Sequence, residues 1–322
     1  MPSSLNIAVL GENAQSRERA ASSLGKKAGV DDLGFYHTVF QGKIVSAIDP
    51  AAYPAKLSTL TQALALCDYA LVVADAPSPP LGEIIVALDL LNSHETAFCG
   101  AIDFTPFLSN TAHLKESKVF ADPNEAKQFL LEKENPNLEG PAKILVDHCF
   151  EVKGVGTVAL GVVKRGEVKI HDSLTSFPSG QPVEIRTIQK NNQDAKDARC
   201  GDRVGLSIKG LKAGDVPRGA VFAKGEIGTR SEIKCVVALS KFRKNPLKSG
   251  ETLHLAAGLQ FEPCRIELGA GDAEAEIKPD SSALATLKCE KPIAFENGEK
   301  MLLCNLNAKG LRAIAVVTAR LP

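Results

Sequence analysis

Tryptophan is absent from these 322 residues, tyrosine occurs three times and methionine twice. With aromatics at 5% of the chain, too few ring faces exist to build a stacking platform for single-stranded nucleic acid. No apolar run approaches the length of a bilayer span, so no membrane partner is expected. Net charge is also missing: 38 Lys and Arg balance 38 Asp and Glu, and whole-chain charge predicts no polyanion partner such as DNA. The eight cysteines form no CxxC pair, and no histidine lies at zinc-finger spacing from any two of them. With no signal-peptide pattern, they read as reduced, mostly buried thiols of a cytoplasmic protein, and no metal site is expected.

What is present is enough apolar material, 44% of residues, for two or three domains with real cores. Charge is unevenly spread. Residues 1–138 hold ten basic against sixteen acidic side chains, and the remainder holds 28 against 22. That surplus fits a basic surface on the C-terminal part.

Residues 1–138 alternate short apolar runs with helical stretches. Residues 6–10 form an apolar run ending at Gly11, and 16–27 read as a helix that stops near Gly29. Strands are predicted at 35–41, 43–48, 69–74, 96–102 and 119–121, and further helices at 55–66, 81–91 and 124–133. Strands alternating with helices predict a mostly parallel sheet covered on both faces. The breaker-rich stretch 135–141 marks a linker. From 139 to 225, β-branched and apolar residues alternate with charges, and glycines from Gly154 to Gly219 interrupt them every few residues. That pattern predicts a small, closed, antiparallel barrel. Residues 226–322 show the same kind of pattern without a visible repeat. The expected fold is therefore multidomain: an α/β domain, then two antiparallel β-barrels.

The second segment carries more than a pattern. Asp147-His148-Cys149-Phe150 leads into Gly154-Val155-Gly156-Thr157, and Ala198-Arg199-Cys200-Gly201-Asp202-Arg203-Val204-Gly205 comes later. On these residues the stretch 146–222 resembles the second domain of translational GTPases of the elongation factor Tu class. It is most similar to that of the selenocysteine-specific elongation factor, SelB, of archaeal type. The run CEKPIAFENGEKMLL at 289–303 resembles the third domain of the same class. Domain order extends the resemblance over the whole chain, and the likeness is faintest in residues 1–138. The resemblance implies that 1–138 is a GTPase-like domain, 139–225 the second-domain barrel and 226–322 the third. The additional C-terminal domain of SelB has no counterpart in these residues.

In working members of the class, a strand ending in Gly, a loop and a helix form the phosphate loop GxxxxGK[ST]. Here Gly11 matches, but Ser16 stands for the second Gly, Arg17 for the Lys and Glu18 for the magnesium-binding hydroxyl. A carboxylate about 4 Å from a phosphate charge costs roughly 4 kcal/mol at an effective dielectric of about 20. The switch segment DxPGH keeps Asp49, while Ala52 and Tyr53 replace its Gly and His. The guanine-reading NKxD falls on Asp103-Phe104-Thr105-Pro106, whose last residue has no carboxylate. Residues 30–34 leave almost no first switch loop. Gly11, Ser16, Arg17, Glu18, Asp49 and Asp103 thus mark a degenerate nucleotide site, with no catalytic residue and neither GTP nor magnesium expected as cofactor. A lone anion at the helix N-terminus near Ser16 and Arg17 stays open, opposed by Glu12 and Glu18.

In the selenocysteine-specific factor the corresponding Asp, His and Arg line the pocket for the aminoacyl group. The resemblance puts that role on Asp147, His148 and Arg203, with Phe150 as an apolar wall. An Arg fork and an imidazole bind an ionised selenol or carboxylate, and an Asp fixes the His tautomer or the Arg plane. Without the resemblance, the Asp-His pair reads equally as a turn-closing hydrogen bond and Arg203 as an ion-pair partner. Lys164, Arg165, Lys169, Arg186 and Lys190 are the candidate contacts to RNA phosphates. Three functions remain open. The first is an elongation-factor-like protein that binds tRNA or aminoacyl-tRNA without hydrolysing GTP. The second is a protein-interaction module that docks on a ribosomal or translational partner. The third is a GTP-binding elongation factor with an unusual nucleotide site.

Overall fold

The structure, a computed structural model, describes residues 4–269 and 275–320. The first domain runs β1 (Ser4–Leu10), α1 (Ala14–Leu24), β2 (Lys26–Val30), β3 (Gly34–Phe40), β4 (Lys43–Asp49), α2 (Leu57–Leu66), β5 (Tyr69–Ala74), α3 (Pro79–Leu91), β6 (Glu95–Gly100), α4 (Thr105–Leu108), β7 (Lys118–Phe120) and α5 (Pro123–Leu131). Its sheet has the order β2-β3-β4-β1-β5-β6-β7. From β4 to β7 it is parallel, and β2 and β3 extend it antiparallel. Every residue of β1 is buried, as expected of a strand covered on both faces. Leu5, Ile7 and Val9 point to the side covered by α1 and α5, while Ala8 and Leu10 point to the side covered by α2 and α3.

Two elements differ from the sequence expectation: the short helix Thr105–Leu108 is not among the predicted ones, and a strand stands where helix is expected. The helix predicted to reach residue 27 ends at Leu24, where the Gly25 amide donates to the Ala21 carbonyl. Residues Lys26–Val30 then form an edge strand against β3, with all five exposed. Such a strand has no buried face, so it shows no period-2 signature and its Lys-Lys-Ala start reads as helix.

Each barrel closes through six strands. In the first, Ser173–Phe177, Val221–Ala223, Lys143–Val152, Gly156–Arg165, Arg203–Lys209 and Gln181–Lys190 pair in that order, and the last returns to the first. In the second the order is Gly228–Leu239, Ser282–Phe295, Gln260–Leu268, Thr252–Ala257, Lys300–Cys304 and Ala313–Ala319. Closure removes the open edges that isolated antiparallel sheets would expose. The eight cysteines are free, and all but Cys149 are buried.

The three domains share one apolar core. Leu10, Leu60 and Leu81 of the first join Leu145 and Val221 of the second and Leu259, Leu302 and Ala313 of the third in a single buried cluster. Polar contacts fix the register of docking. Ser4 Oγ donates to Asp202 Oδ1 at 2.5 Å, and Asn6 Nδ2 donates to the Gly201 carbonyl at 2.8 Å. Gly201 has φ +90°, and a Cβ there would run into the Asn135 side-chain amide. An L side chain at such a backbone costs about 1–3 kcal/mol before any clash. We therefore expect Gly201→Ala to lower stability by about 2 kcal/mol or more in urea titration. Gly214→Ala, with nothing within 4 Å of its Cβ position, serves as the neutral control.

Candidate functional site

The connection from β1 to α1 is short, because α1 is already helical from Ala14. The Asn13 side chain caps it, accepting from the amides of Gln15 (2.9 Å) and Ser16 (3.2 Å). Those are amides that an anion at the helix N-terminus would need. Arg17 is fully buried. Its Nε donates to Asp49 Oδ1 at 2.8 Å, and its terminal nitrogens donate to the carbonyls of Gly11 (2.7 Å) and Tyr53 (3.0 Å). Burial pushes the Asp49 carboxyl above its ordinary value, against the pull of the Arg17 guanidinium. Ser16 Oγ donates to Asp75 Oδ2 at 2.5 Å. Two amides at the start of α1 are thus taken by Asn13, and Arg17 bridges the loop to Asp49. Of the residues marked from sequence, Gly11, Arg17 and Asp49 therefore meet. Glu18 points outward to Lys27 at 2.7 Å, and Asp103 caps the amide of Thr105 at 2.9 Å.

The segment after Asp49 leads from this loop to the last barrel. Tyr53 is buried, and its hydroxyl donates to the Pro80 carbonyl (2.8 Å) and to Glu83 Oε2 (3.1 Å). Glu83 in turn accepts from Arg312 through both carboxylate oxygens, at 3.0 and 2.6 Å. Arg312 also donates to the Pro54 carbonyl at 3.0 Å.

Asp147, His148 and Arg203 come together at the junction of the first two domains. Asp147 is buried, and Arg203 grips it with both terminal nitrogens, at 2.5 and 3.1 Å. His148 Nδ1 lies 2.6 Å from Asp147 Oδ1. Burial alone would raise the Asp147 carboxyl. The Arg203 charge and the hydrogen bonds from His148 and Arg203 overturn that and hold it below its ordinary value. An ionised carboxylate only accepts, so His148 Nδ1 carries the donated proton. The guanidinium of Arg203 sits 3.8 Å above the ring centre of Phe35 in β3. Above these groups opens a cavity of about 400 Å³, of a size suited to a small ligand. Phe150 and Leu160 line it from the barrel, and Asp31, Leu33, Phe35 and His37 from the first domain.

The structure gives four of the five candidate phosphate contacts an acidic partner, Lys169 with Glu167 at 3.5 Å among them. Lys164 pairs with Asp68 at 2.7 Å, Arg165 with Glu296 at 2.8 Å and Lys190 with Asp202 at 3.1 Å. The first two tie the middle barrel to its neighbours. Lys169 and Arg186 remain exposed. The first-domain side of the cleft was not legible in sequence, since no local pattern announces which residues will face a second domain. The Asn191-Asn192 tip beside it did carry a signal. Both residues have positive φ, 48° and 60°, as a two-residue hairpin turn requires.

An α/β domain with this sheet order, followed by two six-stranded barrels, is the architecture of translation elongation factors. The domain family Elongation factor Tu domain 2 matches residues 156–223. The chain is 30% identical over 303 residues to an uncharacterized protein of Methanocaldococcus jannaschii, covering 91% of this chain and 93% of that protein. It is 27% identical over 322 residues to the selenocysteine-specific elongation factor of the same organism, covering 88% of this chain and 69% of the factor. The solved structure of translation elongation factor SelB from Methanococcus maripaludis, apo form, matches with a TM-score of 0.84 at 22% identity, over 100% of this chain and 80% of that one. A bacterial selenocysteine-specific elongation factor matches with a TM-score of 0.80 at 18% identity, over 99% of this chain and 58% of that one. The chain belongs to the SelB-like family of translation factors.

Two measurements check this geometry. Arg17→Met leaves the Asp49 carboxylate buried without its partner, which should cost about 3–5 kcal/mol in chemical denaturation. Arg17→Met combined with Asp49→Leu should recover part of that loss. The second concerns His37, whose imidazole is pushed down to about 4 by burial and then by the Arg203 charge. The unfolded chain takes up that proton first, at about pH 6.5. Stability should therefore fall as pH drops from 6.5 to 4, with an upper bound of about 3 kcal/mol for this group. His94 and His254 are depressed too, so the share of His37 is read from how far His37→Gln flattens the profile.

Proposed function

We propose that the protein binds aminoacyl-tRNA, or tRNA, as an elongation factor does but without binding or hydrolysing GTP. The observation that carries this reading is Arg17, buried at the lysine position of the phosphate loop and bonded to Asp49, Gly11 and Tyr53. For a nucleotide to enter, Arg17 must leave, and Asp49 is then stranded. A penalty of about 3–5 kcal/mol weakens any binding by roughly two to four orders of magnitude. The cleft at Asp147, His148 and Arg203 is the site proposed for the aminoacyl ester. Asp31 Oδ2, 4.0 Å from His148 Nε2 at its mouth, is an acceptor that suits the α-ammonium group of such an ester. Lys169 and Arg186, the two exposed members of that set, are the proposed phosphate contacts.

One observation favours a second reading, docking on a protein of the translation apparatus. The exposed edge strand Lys26–Val30 offers unpaired backbone groups for strand addition. Binding assays separate the alternatives. Calorimetry with GTP and magnesium should give no isotherm at micromolar protein, and a clear one would restore the GTP-binding reading. Filter binding should show tRNA affinity that falls with salt. His148→Ala should weaken charged tRNA more than uncharged by about 1 kcal/mol. Exchanging Lys169 and Arg186 for alanine should weaken both alike. If neither RNA binds at physiological salt, the docking reading takes first place.

A further inference from the structure

The proposed cleft has a charge pattern of its own, and it bears on which esters can enter. Arg203 is the only cation of the cleft among the described residues, and its charge is already balanced by the bidentate grip on buried Asp147. Its flat face is covered by Phe35. His37, the neighbouring imidazole, is hydrogen-bonded to Ser46 at 3.0 Å and buried next to that guanidinium, which keeps it neutral at physiological pH. Asp31 adds a carboxylate at the mouth, with its Oδ2 4.0 Å from His148 Nε2. The fixed charges around the cavity therefore sum to a negative value once Asp147 is counted. The remaining wall is apolar, from Leu33, Phe35, Ile44, Phe150 and Leu160.

We propose that this cleft selects aminoacyl esters whose side chain is uncharged and largely apolar, and disfavours those with an anionic side chain, an ionised selenol included. The inference rests on the aminoacyl reading above. An anionic side chain would have to lose its hydration against an apolar wall, and no unpaired cation among the described residues receives it. Its repulsion from Asp31, at cleft dimensions and an intermediate dielectric, is worth a factor on the order of tenfold in binding. An apolar side chain loses nothing to that field and gains from burial.

The test uses the full-length protein and one tRNA transcript, acylated in turn with phenylalanine, leucine, aspartate and selenocysteine, or left uncharged. The readout is protection of the ester from hydrolysis as protein is added. Phenylalanyl and leucyl esters should be protected at protein concentrations on the order of tenfold lower than the two anionic ones. Asp31→Asn, a change at an exposed position, should narrow that gap. Equal protection of all four esters, or a preference for the anionic pair, overturns the side-chain inference while leaving the aminoacyl reading intact. Failure to protect any ester, with charged and uncharged tRNA bound alike, overturns the aminoacyl reading and this inference together.

Discussion

A buried guanidinium stands at the centre of the first domain. Arg17 reaches from α1 to the end of β4 and to the turn beyond it, joining three segments that a phosphate loop would leave to a ligand. Burying an arginine is costly unless its donors and its charge are both met. Here Asp49 meets the charge, and carbonyls of Gly11, Pro50 and Tyr53 meet donors. The same groups tie the segment around Asp49 to α1.

That tie extends by contact. The carbonyl of Tyr53 receives Arg17, its hydroxyl reaches Glu83, and Glu83 holds Arg312 of the last barrel. In a switching factor, domain rearrangement follows ordering and release of such segments around a terminal phosphate. Here each link is an internal hydrogen bond or ion pair with both partners buried or half-buried. Lys143 adds a further tie between the barrels, bonded to Glu296 and Glu299 at 2.8 and 2.9 Å. With a shared apolar core across all three domains, separating any one of them exposes apolar surface and breaks paired charges together. A single arrangement is what these terms favour.

The barrels and the parallel sheet were legible because their strands have buried faces, and burial writes a periodic signature. The edge strand Lys26–Val30 was not, because no face of it is buried. The same distinction holds at the site. The unusual residues Ser16, Arg17 and Glu18 could be read singly, but not that Arg17 would pair with Asp49, which lies 32 positions away. Asp147, His148 and Arg203 were legible through the family resemblance. Lys164 and Arg165 looked like free surface charge, since a sequence shows neither Asp68 nor Glu296 opposite them.

The cleft and the closed loop are compatible because they depend on different contacts. The barrel face that carries Arg203 is fixed to β1 through Ser4 with Asp202 and Asn6 with Gly201. Its opposite wall comes from β3, where Phe35 packs on the guanidinium. Neither wall uses the loop from Gly11 to Asn13, and the hairpin of β2 and β3 occupies the chain position where a first switch would lie. A cleft so built is formed by contacts within the chain, with its one guanidinium already paired. Preorganisation of that kind removes the ordering cost from binding, but it also fixes which charges a ligand meets. A pocket whose one cation is satisfied from within has no electrostatic reason to favour an anion, whatever its relatives accept. For the proposed ester site, selectivity would then come from shape, from apolar contact and from the Asp31 carboxylate at its mouth.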